Sequence, residues 1–298
     1  MSGQRLATLH ITGVRYRGSR PAQGDERALD AYTRANVYGR AVIPISYHEV
    51  VFPEHLRSAM ETDNLGLIGG AIAESIAAAC QAGAGAVLTG GDCTHSTGVL
   101  GGLQAAFGPS ARIGMVWFDA HGDCNTPKTT RSGMLGGMPV AVCAGLAHPG
   151  WRERSHIVAP LPTDRILMVD VRNLDPEEEQ LIRATDITIA AAAAGFPGAD
   201  LERSVADLAA RCDLLYLHID SDILDASLVP NHGTREPNGP SMAQVLSAIE
   251  TVMASGKVAA LAVVSVYGEG DGSAISVNSG IELIGSALKA WRQYGLPG

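Results

Sequence analysis

Short runs of apolar residues alternate along this chain with longer stretches whose apolar positions recur at helical spacing. That rhythm is the pattern of parallel strands joined by crossover helices. The apolar runs predict strands at 41–45, 86–89, 113–118, 165–169, 214–219 and 258–266, and the amphipathic stretches predict helices at 65–81, 94–106, 175–184, 199–211, 241–254 and 275–294. Several strand runs are apolar at every position, as expected of a sheet covered on both faces. The fold class is therefore α/β. Asp175-Pro176-Glu177-Glu178 supplies an N-cap, a first-turn proline and acidic residues that suit a helix start. Asn64 and Ser241 are expected to cap in the same way. The alanine run at 190–194 stays open between two readings: its propensity says helix, while the preceding Ile187 and Ile189 alternate like a strand.

With 298 residues and no polar or proline-rich tract dividing them, the chain is expected to form a single domain over 1–298. A formal net charge of −9 disfavours nucleic acid and anionic membrane as partners and leaves a small molecule as the better fit. No run approaches the length of a membrane-spanning helix, and residues 1–20 lack a charged-then-apolar leader, so a cytoplasmic location is expected. The five cysteines are odd in number, dispersed and without C-x-x-C spacing, which suggests neither a disulfide framework nor a zinc ribbon. Most should be reduced and buried.

The chemistry concentrates where apolar runs end. Trp117-Phe118-Asp119-Ala120-His121-Gly122-Asp123 delivers two carboxylates and an imidazole at alternate positions, a donor set that suits a hard or borderline divalent cation. Aspartate is also common where strands give way to turns, because its side chain satisfies loop donors. A second such segment, Leu217-His218-Ile219-Asp220-Ser221-Asp222-Ile223-Leu224-Asp225, weakens that simpler explanation, since clustered like charges repel unless a cation compensates. A third strand end, Thr89-Gly90-Gly91-Asp92-Cys93-Thr94-His95, turns sharply through glycines into a helix. In open α/β sheets ligands gather beyond the carboxyl ends of strands, so the three loops should meet in one crevice.

Gly90-Gly91-Asp92-Cys93, Asp119-Ala120-His121-Gly122-Asp123 and Asp220-Ser221-Asp222-Ile223-Leu224-Asp225 together resemble the ureohydrolases, that is arginase, agmatinase and their relatives, from about residue 65 onward. The resemblance implies a three-layer α/β/α sandwich with a mainly parallel sheet, a homo-oligomer, and two divalent metal ions, expected to be manganese, that activate a bridging hydroxide against a guanidine carbon. By position, one metal would be held by Cys93, Asp119, Asp123 and Asp220 and the other by His121, Asp119, Asp220 and Asp222. Asp123 and His121 would thereby serve catalysis as well. Asn125, Thr130 and Ser132 match positions that hold a substrate α-carboxylate, and Asp175 matches one that meets an α-amino group. Thr234 and Glu269 complete the expected substrate-binding set.

Three positions depart from the common pattern. Cys93 stands where a histidine ligand is usual, as in a branch that includes hydrolases of Nω-hydroxy-L-arginine. Its thiolate is softer and weakens the preference for manganese over zinc or iron. His95, two residues on, is an alternative ligand, and Cys93→His is expected to be tolerated. Gly136 replaces a proton-shuttling histidine, a role His232 could take. Ser265 replaces a glutamate that pairs with the guanidinium, for which Glu236, Glu269 and Asp271 are candidate substitutes. The expected activity is hydrolysis of a linear guanidino or N-hydroxyguanidino amino acid to urea or hydroxyurea plus an ornithine-like amine. Two alternatives stand beside it: hydrolysis of a formimino or other non-guanidine C–N bond on the same centre, and a catalytically silent relative that binds metal or ligand.

Overall fold

The computed structural model describes residues 4–298. Among the described residues ten strands occur in the order β1 (Leu9–Val14), β2 (Tyr16–Arg17), β3 (Arg20–Pro21), β4 (Ile45–Glu49), β5 (Gly85–Gly90), β6 (Ile113–Phe118), β7 (Ile166–Val169), β8 (Thr188–Ala190), β9 (Leu214–Asp220) and β10 (Val258–Val264). β2 and β3 form a small antiparallel ribbon. The other eight make one sheet in the order β4-β1-β5-β10-β9-β6-β7-β8, with every neighbouring pair parallel.

The helices are α1 (Leu29–Arg34), α2 (Glu61–Gln81), α3 (Ser96–Phe107), α4 (Pro139–Cys143), α5 (Pro149–Arg154), α6 (Pro176–Arg183), α7 (Leu201–Arg211), α8 (Met242–Met253) and α9 (Ser273–Tyr294). Strand side chains alternate between two cores, as period-two geometry requires. Met115, Trp117, Tyr216 and Ala262 face a core shared with α2, α3, α4 and α5. Val116, Phe118, Leu217 and Val263 face the opposite core with α1, α7, α8 and α9. The result is the three-layer α/β/α sandwich, and its main sheet is wholly rather than mainly parallel.

Within the sheet the differences from the sequence-based expectation fall at its margins, and the short helices α1, α4 and α5 were not predicted. β1 was not predicted, because its Leu-His-Ile-Thr-Gly-Val sequence carries polar side chains at alternate positions. The strand expected at 41–45 begins only at Ile45, after a 3₁₀ turn over Tyr38–Ala41. As an edge strand it leaves Ser46, Tyr47 and His48 exposed, so it has no apolar signature. The 190–194 run divides: Ala190 ends β8 and the remaining alanines are loop. Asn64 lies inside α2 rather than capping it, bonded through its side-chain amide to the backbone of Ser58. Ser241 does cap α8, in a reciprocal box with Gln244.

Two packing features hold the site's scaffold. Helix α3 packs closely through glycines: a Cβ built on Gly98 would meet the Gly69 carbonyl of α2, and one on Gly101 would overlap the carbonyl oxygen of Ser155 at the end of α5. On the other side, Arg172 follows β7, pairs with buried Asp170, and donates to the carbonyls of Asp222 (3.1 Å), Ile223 (3.1 Å), Leu224 (3.3 Å) and Glu236 (3.3 Å). This one guanidinium ties the loop after β9 to the loop after β7.

Gly101→Ala is expected to destabilise the fold by about 1–3 kcal/mol, because overlap with a backbone oxygen outweighs the roughly 1 kcal/mol of helix propensity that alanine supplies. A urea midpoint no lower than that of the parent would contradict this. Arg172→Ala should cost about 3–5 kcal/mol, since it strands the Asp170 carboxylate as well as four carbonyls. Arg172→Lys should recover only part of the loss in the same titration, having charge but no planar fork.

Candidate metal centre

Four adjacent strands, β5, β10, β9 and β6, end side by side at one edge of the sheet. Cys93 follows β5, Ser265 follows β10, Asp220 and Asp222 end and follow β9, and Asp119, His121 and Asp123 follow β6. These residues line a cavity of about 310 Å³, together with Asn125, Thr130, Ser132, Gly136, Asn173, Asp175, Glu178, His232 and Thr234. The loops that the sequence brought under suspicion thus meet in one crevice.

Within it, donor atoms fall into three overlapping groups, each closer than 4.8 Å: Cys93 with Asp119 and Asp220, Asp119 with His121 and Asp222, and Asp220 with Asp222 and His232. Asp119, Asp220 and Asp222 each belong to two groups, as carboxylates that bridge neighbouring ions would. Carboxylate, imidazole and thiolate donors in this number suit borderline divalent cations, and the residues present fit a two-metal centre. The first two groups contain three of the four ligands expected for each metal. Asp123 lines the cavity in a left-handed conformation (φ 45°) but lies outside all three groups, whereas His232 joins one of them.

The electrostatics are those of a cation trap. Burial, reinforced by the charges of Asp222 and Asp123, pushes the Asp119 carboxyl well above its usual range. Burial does the same to Asp123, with Asp220 and Glu178 adding and His121 opposing. At Asp220 burial works in that direction too, yet the adjacent His232 imidazole, 3.3 Å away, and the Asp222 backbone N–H hold this carboxyl below the usual range. Burial opposes charge on His121, but its bonds to Asp119 and Asp222, both at 3.2 Å from Nδ1, push its pKa up to about 12. Buried Cys93 is raised by desolvation and then by Asp220, Asp123 and Asp119. Positive charge is what these groups jointly lack.

Cys93 and His95 point in different directions. Cys93 Sγ lies 2.9 Å from Asp220 Oδ2 and 3.6 Å from Asp119 Oδ2. His95 turns away: its Nδ1 accepts from the Asp92 backbone N–H at 3.0 Å and its Nε2 meets the Gly18 carbonyl at 3.0 Å, closing a capping box at the start of the helix.

The expected substrate-binding residues separate into two sets. Asn125, Thr130, Ser132, Asp175 and Thr234 all reach the cavity. Asp175 stands at the N-cap of α6 yet makes no capping hydrogen bond, which leaves its carboxylate to the cavity. Thr234 donates its hydroxyl to Asp222 Oδ2 at 3.1 Å and its backbone N–H to His232 Nδ1 at 3.2 Å. Glu269 does not line the cavity: it accepts from the Asp25 N–H at 2.7 Å beside Gly24, because the loop after β10 folds back over the α1 entrance. Glu236 is nearer, bonded to Asn173 Nδ2 at 2.6 Å and 3.5 Å from His121 Nε2.

Sequence reasoning missed several groups. Glu178 is buried and accepts from the Cys124 N–H at 2.8 Å. Arg27 is fully buried behind the centre, over the Tyr267 ring (4.8 Å) and against the Gly91 carbonyl (3.2 Å). His218 stacks on Trp117 with ring centroids 3.7 Å apart and its Nε2 3.4 Å from Cys93 Sγ. Burial pulls its pKa down to about 3, so the ring is neutral. A signal for His218 existed in the alternation Tyr216, His218, Asp220, which puts all three on one face of β9.

The arginase family model matches residues 8–289. The arginase of Bacillus caldovelox is 32% identical over 167 residues, covering 55% of this chain and 54% of that protein, so this alignment spans about half the relative's length. The arginase of Staphylococcus aureus (strain COL) is 27% identical over 299 residues, covering 95% and 92%. Among solved structures, Entamoeba histolytica arginase in complex with L-ornithine superposes with a TM-score of 0.82 at 20% identity over 95% of this chain and 99% of that one, a likeness of fold. With the family match running through all three strand-end motifs, and those motifs meeting in one acidic crevice, the chain belongs to the arginase family.

Proposed function

We propose that the chain is one catalytic unit, a two-metal amidinohydrolase acting on a linear guanidino or N-hydroxyguanidino amino acid, with manganese as the expected ion. The observation that carries this reading is the polarity of the cavity. Ligand-type carboxylates, Cys93 and His121 cluster together in its lining, and Asn125, Thr130, Ser132 and Asp175 are among its other lining residues. Neutral donors suit an α-carboxylate and a carboxylate suits an α-ammonium, so an amino-acid substrate complements those residues. Two bound cations would supply a hydroxide-like nucleophile at neutral pH.

Ser265 supports the choice of a less basic substrate. Its backbone is held at φ 60° between the Gly91 carbonyl, which accepts its N–H at 3.2 Å, and the Ser221 hydroxyl, which donates to its carbonyl at 2.9 Å. No carboxylate projects from this position, and a buried guanidinium without a counter-charge is costly. Hydroxylation lowers guanidine basicity, so an N-hydroxyguanidine depends less on that partner. We therefore favour the branch of Nω-hydroxy-L-arginine hydrolases.

His232 is the residue to carry a proton. The Thr234 N–H donates to Nδ1, so the neutral ring bears its hydrogen on Nε2. That atom is buried, 3.3 Å from Asp220 Oδ1 but off the hydrogen-bonding angle. A donor held in this way can serve a departing amine.

Protein reconstituted with manganese should bind about two ions per chain by elemental analysis, and should release hydroxyurea from Nω-hydroxyarginine faster than urea from arginine, agmatine or guanidinobutyrate. Two ions with none of these activities, but ammonia or formamide from a formimino amino acid, would favour the non-guanidine reading; an empty site without turnover would favour a silent binding protein. His232→Asn is expected to lower kcat by about 10²–10⁴-fold while both ions are retained. Unchanged kcat would remove His232 from the mechanism.

A further inference from the structure

Behind the proposed centre, on the side away from the cavity, lies an imidazole that the reaction leaves unused. Tyr216, His218 and Asp220 share one face of β9 and are all buried. Asp220 reaches the centre, His218 Nε2 lies 3.4 Å from Cys93 Sγ, and the Tyr216 hydroxyl lies 2.9 Å from His218 Nδ1. The His218 ring cannot easily swing. Strand register sets it directly opposite Trp117 on β6, against which it stacks at an interplanar angle of 5°, and opposite small Ala262 on β10.

Counting hydrogens selects one tautomer. Nδ1 is the only partner of the fully buried Tyr216 hydroxyl among the described residues. If Nδ1 carried the proton and donated to the phenol oxygen, the phenol's own hydrogen would have no acceptor, an expensive loss in a dry interior. With Tyr216 donating to Nδ1, the ring hydrogen sits on Nε2 and points at sulfur. The sulfur is also hemmed by Asp220 Oδ2 at 2.9 Å and Asp119 Oδ2 at 3.6 Å. An imidazole at position 93 would carry further ring atoms beyond the point where Sγ sits, in a space already bounded by His218 Nε2 at 3.4 Å and Asp220 Oδ2 at 2.9 Å. The tolerance of Cys93→His expected from sequence is therefore withdrawn.

We propose that His218 is the positioning residue for Cys93: fixed by Tyr216 and Trp117, it donates Nε2–H to the sulfur, so that a thiolate rather than an imidazole holds this corner of the centre. This rests on the reading of Cys93 as a metal ligand. An N–H donor stabilises thiolate charge and aims the remaining lone pairs at the cation, the outer-shell role that commonly governs metal affinity.

The test uses the full-length protein loaded with Co²⁺, whose thiolate-to-cobalt charge-transfer band reports the sulfur directly. The parent should show this band. His218→Phe keeps a stacked ring but loses the N–H, and should shift the band to longer wavelength and weaken Co²⁺ binding by about 10–100-fold. Tyr216→Phe should shift it the same way by less. Cys93→His alone should fail to load two ions, and combining it with His218→Ala should restore loading by making room. A band present in the parent and unmoved in both ring variants, or Cys93→His loading as the parent does, would overturn the positioning role while leaving Cys93 a ligand. No band in the parent would overturn the ligand reading and this inference together.

Discussion

Everything at the carboxyl edge of this sheet answers to one constraint: several carboxylates are buried within a few ångströms of one another, and such a cluster is unfavourable without positive charge. Asp119, Asp220 and Asp222 each lie in two donor groups at once. Their closeness comes from the backbone, since parallel strands β6 and β9 pair in register and end together. The scaffold's rigidity, supplied by two apolar cores on either side of the sheet, keeps the carboxylates from relaxing apart. A site of this kind is preorganised for cations because the alternative, spreading the charges, would require unpairing strands.

The surrounding residues divide the work of holding that geometry. Arg172 anchors the loop that carries Asp222, Thr234 orients Asp222 and His232, and His121 is bracketed by Asp119 and Asp222. The departures from the usual family residues also have local causes. Cys93 packs with its sulfur 3.4 Å from His218 Nε2, and Ser265 sits in a left-handed turn fixed by its own backbone hydrogen bonds. Gly136, at the position where the family resemblance places a proton-shuttling histidine, leaves room beside the cavity with only Met134 close to its missing Cβ.

Much of the fold was legible in the chain because buried parallel strands have a strong signature. The runs at 86–89, 113–118, 214–219 and 258–266 are largely apolar and buried on both faces, and all correspond to central strands. β1 and β4 were missed or misplaced because a strand with polar alternate positions, or one at an open edge, carries no such run. The acidic motifs could be read as ligand clusters because aspartates separated by one residue at a strand end share a direction.

The sequence by itself determined the class of fold, the three strand-end motifs and the chemistry those donors suit, since each is a local property of spacing and residue type. Only the tertiary structure decided which side chains meet. It turned His95 toward Gly18 and Cys93 toward the carboxylates, drew His232 into the centre, sent Glu269 to the far side of its loop, and set His218 behind the sulfur. The physical reason is that these encounters join residues far apart in the chain, through strand order, register and loop path. Those are fixed by packing of the whole sheet and its helices, and no short stretch of sequence contains them.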